Sequence, residues 1–425
     1  MIKVRGLLAS VSPVGEVPKI EDALDSMSRR AWNGYVSARS KRCVVYGYSY
    51  AGRRAGNGFV HGEIFGKEGC LDDLAENPSP KTARKLLLED GSFAFVVLNK
   101  NSITFGRDSL GTKPLYHASN KKFFAVASEK KALAGLGLEE IKSVPPSSVF
   151  TWERNSLQKL AHYDYLRGMK EIRKANTKKI LDVLQASVKS RVNGRKRIAV
   201  SFSGGVDSSL IAVMASKFAK VLAVSVSVTG SHDASVAKHA AKELGLDCME
   251  VSISEREITN TIESVQKITE VSSSVDVSIA IGLMLSARKA SKEGCDAMLV
   301  GQLADEIFGG YRRYLEQYCS EGTKGVQKAM EYDVLNANRM NFDRDEKATS
   351  QFVDLYLPYA NAELARIGLS ISPELKFDCK KGGRKIILRQ AAKKFGIPQS
   401  IAERPKKALQ YSSGIHKIVK RYVEP

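Results

Sequence analysis

Residues 197–217 read RIAVSFSGGVDSSLIAVMASK. An apolar run ends in two glycines set among serines, and a helical pattern starts at once. Such a stretch fits the carboxyl end of a strand in a wound α/β sheet, the place where ligands bind in these sheets. Glycine lets the backbone approach an anion closely. A helix beginning near Ser208 turns its free N–H groups and positive dipole end toward the same spot. Ser203, Ser208 and Ser209 add hydroxyl donors. Asp207 is the discordant member, because a carboxylate beside phosphates calls for a cation between them. Mg²⁺ suits, since it takes one or two carboxylates plus phosphate oxygens. The common nucleotide loop carries Lys followed by Ser or Thr. Val206-Asp207 stands near that place here, so a different grip is implied. Taken alone, the stretch also suits a tight strand-to-helix turn with a capping serine.

The alternation continues. KVLAVSVSV, CMEVSIS and AMLVGQ read as strands, and DASVAKHAAKELG and SIAIGLMLSARKASKEG as helices between them. Repeated βα units predict a doubly wound parallel sheet. Residues 311–425 read as mostly helical. Before residues 165–175 the pattern is different. RCVVYGYSY, GFVHGEIFG, SFAFVVLNKNSITFGRD and KKFFAVASE are short alternating stretches with Gly and Asn turns, which predicts antiparallel strands. A chain of 425 residues is long for one core. We therefore expect an α+β domain of antiparallel sheets over 1–165 and an α/β domain with a helical end over 166–425.

Composition sets limits. No apolar run reaches the roughly 18 residues of a membrane span, and the first residues carry no secretory pattern. Six cysteines lie scattered without CxxC spacing, so neither a zinc site nor a disulfide framework is expected, and a reducing cytoplasm fits. The net charge of +20 attracts polyanions, and residues 376–425 are rich in Lys and Arg. No nucleic-acid motif with interleaved aromatics accompanies it. Basic residues coating solvated helix faces explain the charge as well.

A second acidic motif follows a later strand: AMLVGQLADEIFGGYRRY, from Ala297. After Val300 the chain turns at Gly301 and presents Asp305 and Glu306. In a doubly wound sheet this strand can lie beside the first, which would let Asp207 and Asp305 share one metal ion.

At these residues the chain resembles the asparagine synthetase family. SFSGGVDSS is similar to that family's pyrophosphatase loop. GQLADEIFGGY is similar to its Gly-x-Gly-Ala-Asp-Glu-Leu-Phe-Gly-Gly-Tyr segment, and KIILRQAAKKFGIPQSIAERPKKALQYSSGI to its closing block. EDGSFAFVVLNKNSITFGRDSLGTKPLYHASNKKFFAVASEKKAL is similar to the second half of its glutaminase domain, an Ntn-hydrolase-like fold. The resemblance covers nearly the whole chain in the family's order. It implies that Mg²⁺ and ATP adenylate a carboxylate, aspartate above all, with release of pyrophosphate, after which nitrogen displaces AMP. By motif position, Ser203, Gly204, Gly205, Asp207 and Ser208 would hold pyrophosphate, with Asp207 and Asp305 on the metal. Phe202, Val226 and Gly301 fall at the family's nucleotide contacts, and Val300 replaces an AMP-binding Ser. Lys406 matches a lysine that would stabilise the transition state. Asp354, in DLYLPYAN, stands where the family has Glu and is a catalytic candidate, with a structural role nearly as well supported; Tyr356 replaces the family's Arg.

The amino end departs from the family. Its glutaminase uses a cysteine at position 2, whose free α-amino group acts as base. Position 2 here is Ile, and His61 replaces the oxyanion Asn, although Gly62 and Glu63 remain. Glutamine hydrolysis is expected to be lost. Ammonia would then come free or from a separate glutaminase. Two alternatives stay open: a ligase of β-lactam synthetase type that uses an internal amine, and a basic RNA-binding or RNA-modifying protein that kept the ATP loop. A homodimer also stays open.

Overall fold

The computed structural model describes residues 2–12, 21–27, 35–39, 43–49, 58–66, 69–174, 176–229, 233–404 and 414–424. The chain forms two compact units, Met1–Tyr165 and Leu166–Pro425.

The first unit is built on an 11-stranded sheet. Its neighbours run antiparallel except where Ile2–Val11 pairs parallel with Gly58–Ile64. The two-residue period of a strand is plain in Gly91–Leu98, which is buried throughout. Ala94, Val96 and Leu98 enter an apolar cluster with Leu7, Phe59 and Phe105. Phe93, Phe95 and Val97 enter another with Leu71, Leu74, Leu86 and Leu87, which come from helices Cys70–Glu76 and Pro80–Leu87. The strand therefore serves a core on each face. Its antiparallel neighbour Ser102–Arg107 runs into a tight turn, where buried Asp108 accepts from the backbone N–H groups of Phe93, Leu110 and Thr112.

The second unit holds a five-stranded parallel sheet. Its order is Asp247–Ile253, Lys220–Val228, Arg197–Ser201, Ala297–Leu299, Asp354–Tyr356. The chain steps outward from Arg197–Ser201 through two strands, then crosses back to Ala297–Leu299 on the other side. The topological switch point lies between those two strands, where the connections diverge and leave a crevice at the carboxyl ends. Helices Thr177–Val192, Val206–Ala215 and Ile386–Phe395 pack on one another. Glu255–Thr269, Ser274–Lys292, Asp343–Thr349 and Ile415–Val423 form a second group with a shared apolar core.

Three details differ from the sequence expectation. The strand Asp354–Tyr356 lies inside the region read as helical; three residues are too few to leave a two-residue period. Glu255–Thr269 is a helix with a Ser254/Glu257 capping box, a signal present in the sequence but not read there. Most consequentially, Cys319 and Cys379 form a disulfide across 60 residues, against the expectation of none. Folding brings the two together without any short spacing. Among the described residues no single helix is long and apolar enough to cross a membrane.

Candidate active site

The glycine loop sits at the switch point. The N–H of Phe202 donates to Val224 O at 2.8 Å, which extends the sheet one residue past Ser201. Gly204 then takes φ +68°, and a Cβ there would lie 3.1 Å from Ala240 Cβ and 3.3 Å from Ala237 Cα. The left-handed φ and the close approach of helix Asp233–Glu243 both favour glycine here. Gly205 caps helix Val206–Ala215. The loop's own hydrogen bonds are long. Ser203 N donates to Ser208 Oγ at 3.3 Å, Gly205 N to Ser203 Oγ at 3.4 Å, and Ser208 Oγ to Gly205 O at 3.3 Å. Donors held this weakly, at the positive end of a ten-residue helix, suit an incoming anion.

Asp207 lies in the first turn of that helix and Asp305 in the first turn of Ala304–Phe308. Both converge on one cation. Lys385 Nζ lies 2.6 Å from Asp207 Oδ2 and 2.6 Å from Asp305 Oδ1, with its side chain 1% exposed. Lys385 takes a left-handed φ of +55° at the start of Ile386–Phe395. For a non-glycine residue this costs about 1–3 kcal/mol and is characteristic of functional sites. Burial pulls its ammonium below the ordinary lysine range, while Asp207 and Glu306 hold it up. Gly310 makes room for the cluster: a Cβ there would fall 1.6 Å from Asp305 Oδ1 and 2.3 Å from Lys385 Cε. Gly301 lies against Asp207, its hypothetical Cβ 3.1 Å from Asp207 Cβ.

More charge surrounds the trio. Arg404 Nη1 reaches Gly204 O at 3.5 Å, and Arg384 Nη1 donates to Gly310 O at 2.7 Å. Arg389 donates to Ala402 O and Arg404 O at 2.6 and 2.9 Å. Burial lowers the Arg389 pKa, and Asp207 is the main charge opposing that shift. Glu306 is buried, and burial pushes its carboxyl up. Its Oε1 accepts from Tyr311 Oη at 2.8 Å and Asn341 Nδ2 at 3.0 Å. Two carboxylates facing a phosphate-ready loop are a donor set that fits Mg²⁺, which fills its remaining positions with water and phosphate oxygens.

The predicted residues divide clearly. Phe202, Ser203, Gly204, Gly205, Asp207, Ser208, Gly301 and Asp305 come together. Val226 lies toward the carboxyl end of Lys220–Val228, with its side chain in an apolar cluster beside Ile253 and Ile258. Lys406 lies outside the described residues. Asp354 is a correction. It pairs in register with Ala297, at the amino end of the sheet, away from the loop. There it faces Arg195, whose Nη2 lies 3.5 Å from Asp354 Oδ2 and donates to Tyr356 Oη at 2.9 Å. Motif position located the strand but not the end from which the chain enters it. Lys385, Arg389 and Glu306 were missed as site residues. Lys385 opens the closing block noted in the sequence, directly before a helix, and that placement was the available signal. Leu303 holds φ +75° where the family resemblance puts glycine, so this chain keeps the loop at the cost of backbone strain.

In the first unit, His61 is buried and lies in register with Val4. Its Nδ1 is 3.4 Å from Ser128 Oγ, which accepts from Leu7 N at 3.0 Å. Cys43 and Cys70 are buried in apolar clusters.

Residues 179–424, more than half of the chain, match the family model described as Asparagine synthase. Residues 74–135 match one described as Glutamine amidotransferase domain. A putative asparagine synthetase of Methanocaldococcus jannaschii is 32% identical over 388 residues, covering 78% of this chain and 72% of that one. Asparagine synthetase B of Escherichia coli is 27% identical, with 76% and 61% covered. Asparagine synthetase 3 of Arabidopsis thaliana is 26% identical, with 77% and 59% covered, so the chain spans about three-fifths of the length of these last two. With its glycine loop and second acidic motif at one switch point, and a family match across the whole wound sheet, the chain belongs to the asparagine synthase family.

Proposed function

We propose that the protein is an ATP-dependent, amide-forming ligase that adenylates a carboxylate, aspartate first among candidates, and passes the acyl group to ammonia. The convergence of Asp207 and Asp305 on buried Lys385, at the mouth of the Gly204–Gly205 loop, carries this reading. A carboxylate resists amines because its leaving group would be oxide. Its oxygen attacks the α-phosphorus, the bond from that phosphorus to the bridging oxygen breaks, and pyrophosphate leaves with the electron pair. Ammonia then attacks the acyl carbon, AMP departs, and a proton passes to solvent.

The residues divide the work. Ser203, Gly204, Gly205 and Ser208, with the helix N-terminus, cradle the leaving pyrophosphate. Phe202 and Gly301 line the nucleotide, and Val226, whose side chain packs into the apolar cluster, does so through its backbone. Lys385 and Arg389 offset the charge that builds on the departing phosphates. Lys406 is kept as the lysine that stabilises the acyl transition state. Asp207 and Asp305 hold Mg²⁺, which when bound polarises phosphoryl oxygens as a Lewis acid.

Glutamine hydrolysis is lost in this reading. The relatives are named as glutamine-hydrolyzing, but Ile2 and His61 stand here where the family resemblance requires Cys and Asn. Free ammonia, or ammonia from a separate glutaminase, supplies the nitrogen. The test is incubation with Mg²⁺, ATP and aspartate, with ammonium or glutamine, while AMP and pyrophosphate are measured. Product with ammonium and only background with glutamine is expected. Equal rates with both would refute the donor assignment. No AMP with any of a panel of amino-acid carboxylates would refute the ligase.

A further inference from the structure

The disulfide lies beside the candidate site. Cys319 is on helix Arg312–Glu321, which follows the Asp305 helix after Gly309, Gly310 and Tyr311. Cys379 is on the hairpin 376–386, which delivers Lys385. Ile386 N donates to Lys376 O at 3.1 Å at the base of this hairpin, and Asp378 and Gly383 exchange two backbone bonds of 3.0 and 2.9 Å. The Phe377 ring stacks on Tyr318 at 5.4 Å and sits over Gly309, where a Cβ would meet Phe377 Cζ at 2.4 Å. One covalent bridge thus joins the segment carrying Asp305 to the segment carrying Lys385. Both cysteines are exposed, within reach of a dissolved dithiol. The other described cysteines are buried or half-buried.

We propose that the Cys319–Cys379 bridge is a positioning element of the nucleotide site, holding the 376–386 hairpin so that Lys385 stays between Asp207 and Asp305, and that a dithiol reductant releases it. Reduction breaks the Sγ–Sγ bond with two electrons and two protons from the dithiol. It leaves two thiols, and the reductant becomes a disulfide. Lys385 already occupies a left-handed backbone conformation, so a loosened hairpin relaxes away from that geometry. The inference rests on the nucleotide reading of the site.

The test compares oxidised protein, protein reduced with dithiothreitol, and the Cys319→Ser/Cys379→Ser double variant. Mass spectrometry after alkylation shows whether the bridge is present in protein purified without reductant. ATP affinity and pyrophosphate release are read in all three. Tryptic cleavage at Lys380 and Lys381, on the exposed hairpin tip, is read in the oxidised protein and the variant. KM for ATP is expected to rise about three- to tenfold in both the reduced protein and the variant, with a smaller change in kcat. Tip cleavage in the variant should be about tenfold faster than in the oxidised protein, with other sites unchanged. The variant should also ignore reductant. Alkylation of both cysteines in unreduced protein overturns the proposal. So does an unchanged KM and tip cleavage in the variant, or equal acceleration at every tryptic site, which marks a general staple. Failure of every form to bind ATP removes the nucleotide reading, and the cleavage contrast still reports the hairpin on its own.

Discussion

Lys385 and the two carboxylates it joins make sense only as a set. The lysine sits at 1% side-chain exposure because two charges receive it. Asp207→Asn removes a charge the phosphate site needs, and we expect AMP formation to vanish with the circular dichroism spectrum unchanged. Normal turnover in that variant would dismiss the metal role. Lys385→Met should lose about 10²–10³ in the rate of pyrophosphate release, the scale of one lost transition-state donor. Asp354→Asn is the contrasting case. It weakens a contact with Arg195 at the far end of the sheet and should cost about 1–3 kcal/mol in urea denaturation while KM for ATP holds. A raised KM there would contradict the placement. The glycines and the two acids were legible in the sequence because each lies within a few residues of a strand end. Lys385 was not singled out, since it is 178 residues from Asp207 and looks like its neighbours in a basic stretch.

At the scale of elements, the hairpin 376–386 carries the most information. Its first residue, Lys376, is buried, and burial pulls its pKa from 10.5 to about 7, with Glu331 countering in part. The sign follows from proton counting. The unfolded chain keeps the proton up to 10.5 and the folded chain only up to about 7, so between these values unfolding takes up a proton. The stability contribution is therefore best above 10.5, falls as pH drops toward 7, and levels off below. Lys376→Met should raise Tm at neutral pH and flatten the rise in stability between pH 7 and 10, as seen by thermal denaturation in matched buffers. A Tm that drops would mean the ammonium has a stabilising role. Helix Ser274–Lys292 and strands such as Gly91–Leu98 and Lys220–Val228 were readable because their apolar patterns are sustained. The three-residue strand Asp354–Tyr356 was not, and its misassigned acid followed from that.

For the whole molecule, the net charge of +20 favours approach of an anionic nucleotide. Raising salt should lower kcat/KM for ATP while kcat holds, because screening weakens encounter and leaves the buried cluster largely untouched. A rate indifferent to salt would make the charge irrelevant to this substrate. The sequence alone determined the two-part organisation, the parallel sheet, the anion loop and the pair of strand-end acids. These are set by local periodicity, by glycine and by the identity of short segments. Tertiary structure alone decided which lysine meets those acids, which end of the sheet Asp354 occupies, and that Cys319 finds Cys379. Each is a contact between segments far apart in the chain, and only packing of the whole sheet and its helices fixes such distances.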